Sequence, residues 1–300
     1  MNILIYPHDP FMLHSGGVTV QYYLAKLLDE HGINVKIYPS HGTTQNEIFN
    51  KFGSFEIDDC FVIYCEGING NPLNSKKVIR WMLSPLGKNI PYNTLYSWGK
   101  DELVYYFNYE SRFTDDRIHK MLTTLYINPQ IKNYNFVKEN HCHSFRKTHF
   151  YKTINNIHPN DSYEIPHTIS QENCINYFNK YKYFTCYDPL SFLIVISVLC
   201  GCIAIVYPVE NLDKENWLKN TYIGEYIIKT NKPLYGIAYG NSQEEIKFAE
   251  NTIGLAKEQW ENDIKNYYKK HISSFINDLY NFENNLNTID NNYLKTLLTP

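Results

Sequence analysis

The chain is 300 residues long, 43% hydrophobic and 20% charged, the balance of a globular protein with room for two domains of ordinary size. Its formal charge of −3 and pI near 6.4 argue against a general nucleic-acid binder, so a phosphate-bearing ligand would need a local basic patch. Seven cysteines, with no CxxC pair among them, point to buried thiols in a reducing, cytoplasmic setting rather than to a disulfide framework or a zinc site.

Met1-Asn2-Ile3-Leu4-Ile5-Tyr6 lacks the basic and long apolar regions of a signal peptide, and residues 3–6 read as a first strand. A loop follows with His8, Asp9, His14 and the pair Gly16-Gly17. The spacing of Val20, Leu24, Leu27 and Leu28 then predicts a helix over 18–31, ended by Gly32. Strands are predicted at 35–38 and 60–65, a turn-rich loop at 67–72 and a helix at 76–83. Short strands are expected at 94–97, 103–107 and 122–127.

A second set begins near residue 140, with strands at 142–145, 183–187 and 203–207. Its helices are placed from Ser170 to 179, over 191–200, from about 242 and from about 255, the last bent near 271–273. Residues 190–207 carry no charge, which is about the minimum for a membrane span. Gly201 and the switch to Ile203-Ala204-Ile205-Val206 divide the run into a helix and a strand. No membrane span is expected, and peripheral association stays open. In His141-Cys142-His143 the strand alternation sends one residue inward and two outward, which favours packing over metal.

The segment with most chemistry is 188–208. Asp188 ends a strand, Ser191 stands as a natural N-cap, and the N–H groups of a helix start attract phosphate. The plain alternative is that both side chains merely cap a core helix. Tyr187-Asp188-Pro189-Leu190-Ser191-Phe192, with Gly201 before Ile203-Ala204-Ile205-Val206, resembles the donor-site segment of family 4-like GT-B glycosyltransferases. The resemblance implies an α/β fold of GT-B architecture, with two Rossmann-like domains facing each other across a cleft. The boundaries would be 1–140 for the acceptor side and 141–254 for the nucleotide-sugar side, with 255–300 packing back as helices.

It further implies that Asp188 contacts the sugar and Ser191 the diphosphate, with Tyr187 and Phe192 alongside. Arg146 and Lys147 would neutralise the leaving group, and Gly16-Gly17 would form the glycine-rich loop of the first half. The ribose-binding carboxylate of the family falls on Ile196 here, a departure that leaves the nucleotide open. The stretches around Tyr64-Cys65-Glu66 with Arg80, and Gly236-Ile237-Ala238-Tyr239-Gly240, are similar to glycosyltransferase-like proteins of viral and bacterial surface-glycan pathways. Glu66 then sits at a strand end where α/β sites form, with Arg80 placed to pair with it or with an acidic ligand. Tyr239 would lie on a base or sugar face.

The expected activity is metal-independent transfer of a hexosyl or deoxyhexosyl group from a nucleotide-diphosphate sugar to a glycan hydroxyl. No resident cofactor or nucleic-acid partner is expected. Asp9, His14 and Glu66 are the candidate bases, needed only if the reaction inverts. The Asp58-Asp59 and Asp115-Asp116 pairs read as surface turns. A sugar-nucleotide epimerase or hydrolase of the same architecture and a non-catalytic binder are the competing readings.

Overall fold

The strands, many of them buried on both faces, form two wholly parallel sheets, with α-helices alternating with strands mainly in the second half of the chain. The computed structural model describes residues 1–300 apart from 13–14, 88–89, 109–110, 113–116, 118, 147–154, 167–168, 170, 211 and 298–300. His14, Asp115, Asp116, Lys147 and Ser170 therefore lie outside the described residues.

The first sheet contains β1 (Asn2–Tyr6), β2 (Asn34–Ile37), β3 (Cys60–Cys65), β4 (Val78–Met82), β5 (Leu103–Tyr106) and β6 (His119–Met121). Their spatial order is β2-β1-β3-β4-β5-β6. Helix α1 (Gly16–Glu30) covers it, burying Val18, Leu24, Ala25 and Leu28 completely. The second sheet is built from β7 (Glu139–Ser144), β8 (Tyr163–Glu164), β9 (Tyr181–Cys186), β10 (Ile203–Val206) and β11 (Ile237–Tyr239), in the order β11-β10-β9-β7-β8. Its helices are α2 (Gln171–Lys180), α3 (Leu193–Leu199), α4 (Lys214–Asn220), α5 (Gly224–Thr230) and α6 (Gln243–Thr252). A single turn, α7 (Ala256–Glu258), and a long helix, α8 (Lys265–Leu297), complete the chain.

Both sheets repeat one topological device. The initial strand of each, β1 or β7, is flanked on one side by the strand that follows it and on the other by the third. The connections leave in opposite directions at that point, opening a crevice beyond the strand ends where α/β proteins bind ligands. The crevices lie at the ends of β1 and β3 in the first sheet and of β7 and β9 in the second.

Helix α8 follows the second sheet in sequence but packs on the first. Ile272, Phe275, Ile276 and Leu279 belong to the same core as Ile3, Ile5, Leu24 and Trp81. Each fully buried aliphatic or aromatic side chain of this kind contributes roughly 1.5–3 kcal/mol. Polar contacts fix the docking. Asp278 accepts from Lys120 at 2.5 Å and Tyr105 at 3.1 Å, and Thr123 N donates to His271 Nδ1 at 3.1 Å. His271 Nε2 in turn stands 2.7 Å from Glu225 Oε2 on α5, linking the helix to the second half.

The structure corrects several expectations. Residues 78–82 form a central strand rather than part of a helix: Val78, Ile79, Trp81 and Met82 are buried on both faces, so no alternation marked them. Tyr92–Ser97 is a 3-10 helix, and pairing at the sheet edge involves His119–Met121 rather than 122–127. Helix α8 runs unbroken through 271–273; the irregularity lies earlier, in the wide turns of Gln259–Ile264. The uncharged run 190–207 divides into α3 and β10. Gly201 between them takes φ 77°, a left-handed conformation that suits glycine. Among the described residues no helix is long and apolar enough to cross a membrane. All seven cysteines are free and buried.

Candidate functional site

In the first sheet the chain leaves β1 into His8 and Asp9 and leaves β3 into Glu66, which brings these three to one crevice. Gly17, in the first turn of α1, lies beside them: a Cβ there would stand 3.6 Å from His8 Cε1 and 3.8 Å from Leu83 Cδ1. Gly16 is exposed at the helix start. Asp9 is half exposed, whereas Glu66 is buried, with Oε2 accepting from Leu83 N at 2.8 Å. Burial pushes the Glu66 carboxyl up to about 7, partly offset by backbone N–H donors.

Arg80 does not pair with Glu66. Its guanidinium is fully buried and grips Glu102, Nε to Oε2 at 2.6 Å and Nη2 to Oε1 at 3.2 Å. It also donates to the carbonyls of Ile68 and Gly70 in the loop after Glu66, and packs 4.9 Å from the Tyr64 ring and 5.0 Å from the Trp98 ring. Arg80 thus fixes the loop that carries one wall of the crevice.

His8 was named with its loop in the sequence but not among the candidate site residues. Its Nδ1 lies 2.9 Å from Gln21 Nε2 and 3.3 Å from Cys65 Sγ, and its Nε2 lies 3.4 Å from Asp9 Oδ2. Burial lowers its pKa, the Asp9 charge works against that, and His41 adds a smaller lowering. The signal available in sequence was a polar Gln21 on the buried side of α1, between Val18 and Tyr22.

In the second sheet β7 leads into Phe145 and Arg146, and β9 leads into Tyr187 and Asp188. Arg146 is close enough to Cys186 and Cys174 for its charge to oppose the burial-driven rise of both thiols, and Cys174 still reaches about 11. Arg146 and the segment after Cys186 therefore share one crevice. The start of α3 is largely occupied by its own side chains. Leu190 N donates to Asp188 Oδ1 at 3.2 Å, Ser191 N to Asp188 O at 3.1 Å, and Leu193 N to Ser191 Oγ at 3.3 Å. Asp188 and Ser191 thus hold the turn that leads into α3, whose N-cap is Phe192 rather than the expected Ser191, and the backbone donors there are mostly spent.

The aromatic candidates are placed for packing. Tyr187 is fully buried, and its hydroxyl accepts from Ile157 N at 2.9 Å and lies 2.8 Å from His158 Nδ1. It anchors Ile157 and His158 across the strand ends, so its buried ring presents no face to a ligand. Phe192 is partly buried, 6.2 Å from the Tyr222 ring. Tyr239 stacks on Trp217 at 5.2 Å and its hydroxyl donates to Leu212 O, so one ring face and the hydroxyl are already engaged. Ile196, where the resemblance looks for a carboxylate, lies in the hydrophobic core at 3% exposure.

His141 and His143 lie on one side of β7 while Cys142 points into the core. His141 Nε2 meets Thr185 Oγ1 at 2.7 Å, His143 Nδ1 meets Ser162 Oγ at 2.8 Å, and His143 stacks on His158 with centroids 3.7 Å apart. Among the described residues no group of three or more histidine, cysteine or acidic side chains is arranged to hold a metal ion. Burial, then the neighbouring His158 charge, pushes both His141 and His143 down to about 4.

The unfolded chain therefore binds more protons than the native one between the ordinary histidine value of 6.5 and about 4. The stabilisation is full above that window and is lost as pH falls through it, on the order of 2 kcal/mol after discounting for solvent. Glu66 has the opposite sign: its raised carboxyl favours the native state as pH falls from about 7 towards the ordinary 4.5. Hydrogen exchange at pH 7 and pH 4.5 should show the second sheet losing protection on acidification while the strands around Glu66 do not.

An open cavity of about 520 Å3 lies away from these crevices, beside Lys138, Lys182, Gly201 and Ile203 where strands of the second sheet begin. A cavity of only about 20 Å3 borders Pro189, Leu190 and Ser191.

No protein-family model matches the chain, and no curated protein matches it in sequence. Solved structures of the T4 phage beta-glucosyltransferase are similar in fold outline. The complex with UDP-glucose covers 91% of this chain and 99% of that one, at 13% identity and a TM-score of 0.45. The complex with UDP and Mn2+ has the same coverage, at 12% identity and a TM-score of 0.43. Likeness of this degree assigns no residue a role.

Proposed function

We propose that the chain is a glycosyltransferase that takes a nucleotide-diphosphate sugar as donor and a hydroxyl-bearing acceptor. The observation that carries the reading is the placement of charged side chains at both topological switch points. Asp9 and Glu66 occupy the first, and Arg146 and Asp188 the second. A transferase needs a proton acceptor for the incoming hydroxyl and a positive group for the charge developing on the leaving diphosphate.

Asp9 takes the first role because its carboxylate is half exposed, while Glu66 is buried against the Leu83 amide. Arg146 takes the second, since the planar guanidinium suits a diphosphate and N–H groups leading into α3 are already engaged by Asp188 and Ser191. Asp188 then orients the donor segment more than it binds phosphate.

Thermal-shift screening with UDP, GDP, ADP and their sugars, each with and without Mn2+, tests the reading. A ligand at 100 times its Kd raises stability by about 2.7 kcal/mol. Arg146→Glu should weaken binding of the nucleotide diphosphate tenfold or more by calorimetry, the scale of a charge-assisted hydrogen bond. Unchanged affinity would move the phosphate site elsewhere. A second reading, a binding protein without turnover, is favoured by the buried Ile196 at the ribose position. It requires nucleotide binding with no transfer or hydrolysis across a broad acceptor panel.

A further inference from the structure

The ring of His8 is held in an environment that dictates which nitrogen carries its proton. Gln21 Nε2 donates to Gly17 O at 3.0 Å, which fixes the orientation of the amide, so its remaining hydrogen points to His8 Nδ1 at 2.9 Å. The second neighbour of Nδ1 is Cys65 Sγ, 3.3 Å away. Burial, reinforced by the charge of Glu66, pushes this thiol far above its ordinary value, so the sulfur is an S–H donor and not a thiolate. Nδ1 is therefore faced by two donors and must present its lone pair. The proton resides on Nε2, the nitrogen turned towards Asp9 Oδ2 at 3.4 Å.

The arrangement is costly for a purely structural contact. Gln21 is 1% exposed, and among the described residues its Oε1 has no hydrogen-bond partner. A buried carbonyl left in that state is a net cost to the fold. Protonating His8 would force an N–H at Nδ1 against the Gln21 and Cys65 donors, so the ring resists becoming a cation despite the carboxylate beside it.

We propose that His8 is a positioning residue that holds Asp9 as the base of the transfer reaction, with Gln21 and Cys65 setting its tautomer. The proposal rests on the transferase reading. Neutral His8 turns its Nε2–H towards Asp9 Oδ2, 3.4 Å away, without placing a full positive charge beside it. The carboxylate is oriented and keeps its basicity. In the reaction the acceptor O–H bond breaks and its proton passes to Asp9. The acceptor oxygen forms a bond to the anomeric carbon, and the bond from that carbon to the diphosphate oxygen breaks, its electron pair leaving with the nucleotide diphosphate.

Histidine-selective 15N NMR on the full chain reads the tautomer directly. The expected result is His8 protonated at Nε2 at pH 7, titrating below the ordinary histidine value, with Gln21→Met releasing the preference. Protonation at Nδ1 would overturn the proposal whatever the enzyme assay gives. In kinetics with the nucleotide sugar found by thermal shift, His8→Leu should lower kcat about 10- to 100-fold, leave the donor KM unchanged and move the acid limb of kcat/KM to higher pH. His8→Gln, which keeps a donor at similar reach, should recover most of the rate. Equal kcat and an unmoved pH profile in His8→Leu sink the role of His8 alone. A wild-type chain that turns over no nucleotide sugar sinks the transferase reading and the catalytic role with it, while the tautomer result stands separately.

Discussion

Glu102→Ala should cost about 3–5 kcal/mol of stability, read as a lower urea midpoint, because it leaves the Arg80 guanidinium buried without its counter-ion. The pair is well made: Arg80 is fully buried, Glu102 is 8% exposed in its side chain, and two nitrogens meet two oxygens. The carbonyls of Ile68 and Gly70 that share the guanidinium cannot neutralise a full charge. The double variant Arg80→Met with Glu102→Leu should recover much of the loss, since replacing both partners removes the orphaned charge. If Glu102→Ala unfolds at the same urea concentration as the parent, the ion pair is not what holds the loop after Glu66.

Asp9→Asn is expected to reduce transfer by roughly 10²- to 10⁴-fold, the usual contribution of a positioned general base. The substitution is nearly isosteric and the side chain is half exposed, so stability should change little, within about 0.5 kcal/mol. Donor binding measured by calorimetry should persist, because Arg146 and Asp188 lie at the other switch point. Glu66→Gln is the informative control. If it abolishes transfer while Asp9→Asn does not, the base is Glu66, and the half-exposed carboxylate at Asp9 is only a surface group.

Strand ends were the part of the site that the sequence exposed best. Asp9, Glu66, Arg146 and Asp188 each follow a predicted strand within three residues, and the parallel sheets put such positions at one edge. Strand β4 was hidden because Val78, Ile79, Trp81 and Met82 are spaced as a helix face would be, with Arg80 imitating the polar side. Only the buried partner Glu102 explains a charge in mid-strand. His8 and Gln21 were missed because their contact joins a loop to a helix 13 positions away. Tyr187 and Tyr239 were overvalued for the converse reason: aromatic rings near a site look available until their hydroxyls are seen tied to Ile157, His158 and Leu212.

The docking of α8 on the first sheet has a consequence for biosynthesis. Ile272, Phe275, Ile276 and Leu279 complete a core whose other members lie between residues 3 and 122. During synthesis from the N-terminus, the first sheet must wait for nearly the whole chain to leave the ribosome before that core closes. The second sheet has its strands in hand by Tyr239 and the last members of its own core by Tyr268. The order of folding should therefore run against the order of the sequence, with the later sheet maturing while the earlier one is still open. Nascent chains stalled once residues up to about 270 have left the ribosome would show it: protease resistance should appear in the segment from 139 onward before it appears in residues 1–121.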